Sequence, residues 1–280
     1  MGPWIRRAVA VLAIAAFAWA VVRTVEHVLP RDRVTTGEKA AHGAHILRYE
    51  INSAVLNRTL PQTAVAPPGG GAGRPLLVFL HGKGGGPEES VNGEFLAALA
   101  HQGRRAPDVV FPSGGSDSYW HARRSGDWGR YVLAEVIPQA VRRLRADPRR
   151  IAIGGISMGG FGAYDIARNA PRRFCAVGGH SAAMWLSAAA TAPGAFDDPA
   201  DFAHNDLVAL ARAHARKPWI GAHLWLDVGT DDPFRAADDA LARAAHIRIR
   251  HYPGGHTAGY WHEHYRSYLR FYAHALAHCR

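Results

Sequence analysis

Short apolar runs that alternate with helical patterns dominate the chain from residue 76 onward. Six runs have the length and composition of buried strands and cover residues 76–80, 109–111, 151–153, 175–177, 224–226 and 247–252. Apolar residues recurring at the helical period predict helices over residues 131–145, 158–169, 235–245 and 260–278. Because strands that alternate with helices form parallel sheets covered on both faces, we predict an α/β fold with a mostly parallel central sheet.

Two further segments precede this pattern. Residues 45–53 and 59–66 have β-rich or alternating sequences and predict an antiparallel hairpin at an edge of the sheet. Residues 67–73, rich in Pro and Gly, predict a flexible connection, and residues 181–217 are irregular enough to predict an excursion over the sheet. The sequence contains no internal repeat, so we assign residues 44–280 to a single domain.

The first 23 residues have the pattern of an export signal. Residues 8–22 carry no charge and lie between Arg6-Arg7 and Arg23. The run of 15 residues is shorter than the roughly 20 that a membrane span needs. We favour an uncleaved anchor over a cleaved signal peptide, so that residues 24–43 form a charged tether. The domain would then contact the membrane through this segment and face the extracytoplasmic side, or be secreted or periplasmic after cleavage.

The distribution of charge and the number of cysteines limit the partners and the cross-links that we expect. The formal net charge is +10, but the basic residues are scattered singly and in pairs, without a long basic run interleaved with aromatics. Nucleic acid is therefore not an expected partner. The two cysteines give no disulfide framework. We expect Cys175 to be a small buried residue and Cys279 to be exposed, without a bridge between them.

Residues 154–160, GGISMGG, follow one predicted strand and open a predicted helix. This is the nucleophile-elbow arrangement, in which small neighbours allow a strained turn that holds a serine clear of the sheet. The G-x-S-x-G pattern is weakly specific in a chain with 30 Gly, so the prediction depends on its strand-turn-helix context. Ser157 is the predicted nucleophile, and the Met158 N–H is one predicted donor to an oxyanion.

A serine nucleophile needs a base, and the base needs an acid that orients it. The chain has 17 His, but His256 lies in a Gly-flanked loop between the last predicted strand and the last helix. For the acid we favour Asp232, then Asp231, then Asp227, although each could instead cap a helix or bond loop backbone. These positions follow the ends of parallel strands, so we expect them to converge on one sheet edge with Ser157.

Residues 81–86, HGKGGG, follow the first core strand and offer a second oxyanion donor, the N–H of Lys83 or of Gly84. The loop matches neither phosphate-binding glycine motif, and residues 262–264, HEH, lack the spacing of a zinc site. We therefore expect no metal and no cofactor. Candidate residues for the substrate pocket are His81, Tyr119, Trp120, His121, His180, Ser181 and Trp185.

With these residues in place, the chain resembles the esterase D and S-formylglutathione hydrolase-like branch of the α/β-hydrolases, which also includes the antigen 85 mycolyltransferases. The resemblance extends from Ile46 to Phe271 and rests on six ordered motifs: FLHG at 79–82, FPSGG at 111–115 with Tyr119-Trp120, Tyr131 with EVIP at 135–138, GISMGG at 155–160, GTDD at 229–232, and GGH at 254–256 with Tyr260-Trp261. It implies an α/β-hydrolase fold with Ser157 as nucleophile, His256 as base and Asp232 as acid.

The leading hypothesis is an extracytoplasmic serine esterase that acts through an acyl-enzyme on a small-molecule, lipid or polysaccharide acyl ester. One alternative is an acyltransferase that uses the same residues and passes the acyl group to a sugar or lipid hydroxyl. A second alternative is a catalytically silent α/β-hydrolase that serves as a binding module. The motifs do not separate these hypotheses, because acceptor access depends on the shape of the pocket.

Overall fold

A central sheet organises the domain in the structure, a computed structural model that describes residues 34–39 and 41–279, with side chains from residue 41 onward. Chain contacts divide the protein into Met1–Arg33 and Val34–Arg280. The predicted signal or anchor, residues 1–23, lies outside the described residues. Among the helices that are described, none combines the length and apolarity needed to cross a membrane.

In the described part of the chain, nine strands form the main sheet in the order β1-β2-β3-β5-β4-β8-β9-β10-β11. The strands are β1 Val34–Lys39, β2 His45–Ser53, β3 Arg58–Ala66, β4 Leu76–Leu80, β5 Asp108–Pro112, β8 Ile151–Ile156, β9 Ala176–His180, β10 His223–Gly229 and β11 Ile249–Tyr252. A separate two-stranded ribbon pairs β6 Ala122–Arg123 with β7 Gly126–Asp127. The strands from β5 to β11 in this order are parallel, and β1, β2 and β3 add an antiparallel edge.

Helices cover both faces of this sheet. They are α1 Gly93–Ala100, α2 Trp128–Tyr131, α3 Ile137–Leu144, α4 Met158–Arg168, α5 Pro199–His204, α6 Leu207–His214, α7 Arg235–Ala245 and α8 Ala258–Ala277. Leu77 and Phe79 of β4 pack into one core with α1 and α8. Leu76 and Val78 pack into the other with α3, α4 and α7. The central strands are buried at every position because both of their faces are covered.

The predicted α/β-hydrolase architecture is confirmed. Each of the six apolar runs overlaps a strand of the sheet, and residues 45–53 and 59–66 pair as the antiparallel hairpin β2–β3. The irregular segment 181–217 contains the short helices α5 and α6. The helix α1 and the ribbon β6–β7 were not predicted, because neither has a long periodic pattern.

Two expectations from sequence do not hold. Part of the expected tether, Val34–Lys39, is the edge strand β1, which pairs through its backbone with β2 and so needs no apolar period. The cysteines were expected to be unbridged, yet Cys175 and Cys279 form a disulfide with Cα atoms 5.4 Å apart. The bridge forms because α8 runs back along the sheet and returns the end of the chain to the start of β9.

Candidate active site

Ser157 occupies a sharp turn between β8 and α4, with φ of 53° and ψ of −116°. Its N–H donates to the His180 carbonyl at 3.0 Å, and its own carbonyl accepts from the N–H groups of Phe161 and Ala183. A non-glycine residue in this conformation is strained and needs such surrounding bonds to hold it. The turn therefore presents the serine side chain at the carboxyl end of β8.

The glycines beside Ser157 are required by the close approach of β4. A Cβ built on Gly155 would lie 2.5 Å from the Leu80 carbonyl oxygen, and one on Gly159 would collide with the same carbonyl. Since the Leu80 carbonyl belongs to the backbone and is not the end of a flexible side chain, the backbone itself would have to shift. The G-x-S-x-G pattern is thus explained by packing against the end of β4.

Three side chains from different strand ends meet in one hydrogen-bonded series. The Ser157 Oγ lies 2.8 Å from His256 Nε2, and His256 Nδ1 lies 2.9 Å from Asp232 Oδ2. Phe234 and Trp261 hold the imidazole edge-to-face, with ring centroids 5.0 and 5.1 Å from it. The arrangement allows His256 to accept a proton from Ser157 while Asp232 keeps the other ring nitrogen protonated.

Asp232 is buried but stays an ionisable partner for His256. Burial alone would raise its pKa, but the hydrogen bonds from His256 and from the Phe234 N–H, together with the charge of His256, lower the pKa below its ordinary value. Ser181 adds to this lowering, although its hydroxyl lacks a well-formed hydrogen bond within the described residues. The carboxylate is therefore held ionised beside the imidazole.

The other two candidate acids lie elsewhere. Asp231 is exposed, and its backbone N–H donates to the Gly254 carbonyl. Asp227 is fully buried and pairs with a different histidine, His180, at 2.7 Å. Its two oxygens also accept from the Trp225 indole and from the hydroxyls of Tyr260 and Tyr268. Asp227 thus organises a buried polar network beneath the site.

This network explains why His180 is not a pocket residue. Its side chain has no exposed surface, and its Nε2 lies 2.9 Å from the Tyr272 hydroxyl. The His180 backbone carbonyl accepts the Ser157 N–H, and Tyr260 lies in the first turn of α8, the helix that follows His256. The network therefore connects the serine turn, through His180 and Asp227, to the first turn of α8, which directly follows the His256 loop.

The structure separates the two candidates for the second oxyanion donor. The Gly84 N–H donates to the Ser116 carbonyl at 2.7 Å, so Gly84 is not free to bind an oxyanion. Within the described residues, the N–H groups of Lys83 and Met158 have no acceptor. The loop lies beside the serine, because a Cβ on Gly82 would be 3.6 Å from the Ser157 Cβ. Lys83 and Met158 are the pair that could bind an oxyanion.

His81, a predicted pocket residue, supports this loop from below. The Gly114 N–H donates to His81 Nε2 at 2.9 Å, so the proton is on Nδ1, which donates to the Gly82 carbonyl. Burial lowers the pKa of His81 to about 4, against the opposing effect of the Gly82 hydrogen bond. His81 is thus a neutral, buried residue that positions the loop of residues 81–86.

Most of the predicted pocket residues are part of the core. Trp120, His121 and Ser181 are at most 1% exposed, and Tyr119 is 2% exposed. The rings of Tyr119 and His121 pack against Phe161 of α4 instead of lining a pocket. The sequence does not show which way such rings face. Of the predicted set, Trp185 lines an open apolar cavity that reaches Phe234, the ring in contact with His256.

That cavity has a volume of about 350 Å³ and an apolar lining: Met184, Trp185, Leu186, Ala190, Ala192, Pro233, Phe234, Ala236 and Ala237. Phe234 joins it to the site, because the same ring contacts both His256 and Trp185. Leu186 stands at its rim with 49% of its surface exposed. Sequence reasoning missed Phe234 and Leu186; the position of Phe234 two residues after Asp232 was the available signal.

The described residues contain no cluster of metal-ligating side chains.

A known family matches most of the chain. The family model Esterase, described as "Putative esterase", matches residues 53–271. No curated protein matches the chain significantly.

Solved structures share the fold at low sequence identity. An S-formylglutathione hydrolase from Agrobacterium tumefaciens is 19% identical with a TM-score of 0.73, over 87% of this chain and 99% of that chain. A ferulic acid esterase is 20% identical with a TM-score of 0.72, over 83% and 98%. MPT51 of Mycobacterium tuberculosis is 17% identical with a TM-score of 0.63, over 86% and 99%. The resemblance seen in the sequence motifs is thereby confirmed.

Proposed function

This chain belongs to the Esterase family and is a serine carboxylic ester hydrolase, and from that premise we propose that it works through an acyl-enzyme on Ser157, with His256 as base and Asp232 as acid. The observation that carries the proposal is the hydrogen-bonded series from Ser157 Oγ through His256 to Asp232, at 2.8 and 2.9 Å.

In the first step, Ser157 Oγ attacks the ester carbonyl while its proton passes to His256 Nε2. The negative charge that forms on the carbonyl oxygen is stabilised by the N–H groups of Lys83 and Met158. The intermediate collapses when His256 donates its proton to the leaving alkoxide. Water then attacks the acyl-enzyme by the same proton route and releases the acid.

The acyl group would occupy the cavity beside Phe234. Its lining offers apolar side chains and four alanines, and no charged group. An apolar wall of this kind favours an acyl chain or aryl group over a charged acid, because burying a charge without a partner is costly. The substrate class is therefore an ester of an apolar carboxylic acid.

We place the enzyme outside the cytoplasm, anchored by the hydrophobic segment 8–22 or released after its cleavage. The disulfide between Cys175 and Cys279 supports this proposal, because disulfides persist in oxidising compartments.

The test is labelling by a fluorophosphonate probe together with hydrolysis of a nitrophenyl ester series. We expect the parent protein to be labelled and active, and Ser157→Ala to lose both. Ser267→Ala, on α8, is the matched control and should behave as the parent. Absence of labelling on the folded parent would support the silent binding module instead. Acylated glycerol or trehalose as the main product would support the acyltransferase.

A further inference from the structure

The rim opposite the active site is strongly basic. Arg149 and Arg150 immediately precede β8, and Arg172 and Arg173 lie shortly before β9. Ser157 follows the carboxyl end of β8. Because β8 and β9 are parallel, the arginines lie at the amino ends of the strands and the active site lies at their carboxyl ends.

The four arginines line an open cavity of about 620 Å³ together with Asp147, Pro148 and Cys279. Asp147 is the one acidic residue of this lining, and it bonds Arg150 at 2.8 Å. Arg149 lies farther from it, at 3.6 Å, and its side chain is 90% exposed. Positive charge at this rim therefore exceeds negative charge.

The remaining two arginines have no acidic partner among the described residues. Arg173 donates to the Pro148 carbonyl at 2.8 Å, and burial lowers its pKa from the usual value. Arg172 is exposed and makes no hydrogen bond within the described chain. Arg172 can therefore bind an anion from outside, and Arg173 retains donors beyond the one that it gives to Pro148.

An apolar side chain stands at the same rim. Ile220 is 46% exposed, and Leu186, at the active-site cavity, is the other large exposed hydrophobic among the described residues. Trp219 is turned inward, where its indole donates to the Tyr164 carbonyl at 2.9 Å, so the turn holds Ile220 outward. Gly221 lies against Arg172, because a Cβ built on it would be 3.7 Å from Arg172 Cγ. Lys217 is exposed in the same turn.

We propose that this basal surface, defined as Arg149, Arg172, Arg173, Lys217 and Ile220, docks the folded domain onto an anionic phospholipid surface. Guanidinium groups bind lipid phosphates through paired hydrogen bonds, and basic residues next to a membrane are attracted to its negative surface. A single exposed isoleucine among them can enter the interfacial region. Docking in this orientation leaves Ser157 and the acyl cavity facing away from the bilayer.

The exposed isoleucine distinguishes a lipid surface from a soluble polyanion. A polyanion would gain from the arginines but nothing from Ile220, whereas a bilayer gains from both. The proposal therefore commits to lipid, and the contribution of Ile220 becomes the deciding measurement.

The test is amide hydrogen exchange on the full chain, reconstituted with phosphatidylcholine vesicles or with vesicles that also contain phosphatidylglycerol. We expect amides of residues 172–174 and 216–222 to exchange about threefold or more slowly with the anionic vesicles. Because the two samples differ only in lipid charge, any anchoring by the N-terminal segment is common to both.

Three variants decide the outcome. Arg149→Glu/Arg172→Glu and Ile220→Ser should each lose the extra protection, while Arg130→Glu/Arg270→Glu, exposed arginines on other faces, should keep it. Unchanged hydrolysis of a nitrophenyl ester without vesicles shows that each variant is folded. Equal protection on both vesicle types overturns the proposal, as does equal loss in the control pair. Loss with the charge pair but not with Ile220→Ser would show that charge alone attracts the surface, without entry of Ile220 into the bilayer, and would overturn the proposal.

Discussion

At the scale of single residues, Asp227 on β10 and Asp232 shortly after that strand differ in what surrounds them. Asp232 accepts hydrogen bonds from the His256 ring and from the Phe234 N–H. Asp227, five positions earlier, accepts from His180, Trp225 and two tyrosines, and it is completely buried. Under the proposed mechanism, Asp232 acts on the reaction directly, whereas Asp227 holds the strands and α8 in place.

Substituting each carboxylate separates these roles. We expect Asp232→Asn to lower kcat by about 10³- to 10⁴-fold with little change in stability, because the amide leaves the imidazole in the wrong tautomer. Asp227→Asn should lower the free energy of unfolding by about 3 to 5 kcal/mol, because it leaves a buried network with mismatched donors. The measurements are kcat on a nitrophenyl ester and urea unfolding. A fall in kcat of equal size for Asp227→Asn at unchanged stability would contradict the assignment.

A third carboxylate makes stability depend on pH. Asp108 begins β5 and is 1% exposed, and its Oδ2 lacks a hydrogen-bond partner among the described residues. Burial raises its pKa to about 7, against the opposing charge of Arg74. An acid whose pKa is higher in the folded state than in the unfolded state binds a proton preferentially when folded. Its contribution therefore falls as pH rises from about 4 to about 7 and is constant above that range.

Asp108→Asn removes this titration. We expect the variant and the parent to have similar stability near pH 4, and the variant to be more stable by about 3 kcal/mol at pH 8. Chemical unfolding across that pH range measures the difference. Glu50→Gln, an exposed carboxyl on β2, is the control. A difference between Asp108→Asn and the parent that does not change with pH would show that Asp108 ionises normally.

At the scale of elements, the unit formed by β8, the serine turn and α4 depends on close packing against the end of β4. Gly155 and Gly159 both face the Leu80 carbonyl. The loop after β4 carries Lys83. The contact of the two glycines with Leu80 therefore positions both the serine turn and the loop that contains Lys83. The spacing between Ser157 and the proposed oxyanion donor Lys83 therefore depends on how β4 and β8 pack together.

A methyl group on Gly155 should push the serine turn away from the end of β4. We expect Gly155→Ala to reduce kcat by at least about 100-fold or to prevent folding, because its Cβ would meet backbone that cannot rotate away. Gly93→Ala is the matched control, since no atom lies within 4 Å of its Cβ, and at the start of α1 it should leave kcat and Tm nearly unchanged. Full activity of Gly155→Ala at the parent's Tm would refute the packing argument.

At the scale of the whole molecule, the last helix is fastened at both ends. Tyr260, in its first turn, bonds Asp227, and beyond its last turn Cys279 is bridged to Cys175. The bridge closes a loop with a sequence separation of 104 residues. Since α8 also follows directly on the His256 loop, its attachment to the sheet supports both stability and the site.

Loss of the bridge should destabilise the domain. Cross-linking a loop of this length restricts the unfolded chain by about 4 to 5 kcal/mol in the chain-entropy model. We expect reduction by dithiothreitol, or Cys279→Ser, to lower Tm by roughly 10 °C, while kcat at 25 °C changes little. Thermal unfolding of the parent with and without reductant, beside Cys279→Ser treated in the same way, measures the effect. A reductant effect that persists in Cys279→Ser would have another cause.

The sequence by itself determined the features that depend on neighbouring residues. The alternation of strands and helices, the hairpin of residues 45–66 and the turn at Ser157 all follow from local periods and from glycine. The tertiary structure decided which distant groups meet: Asp232 rather than Asp227 beside His256, Ser116 on the Gly84 amide, and Cys279 at Cys175. Those pairings depend on strand order and on the path of α8, which bring together residues that no local pattern connects.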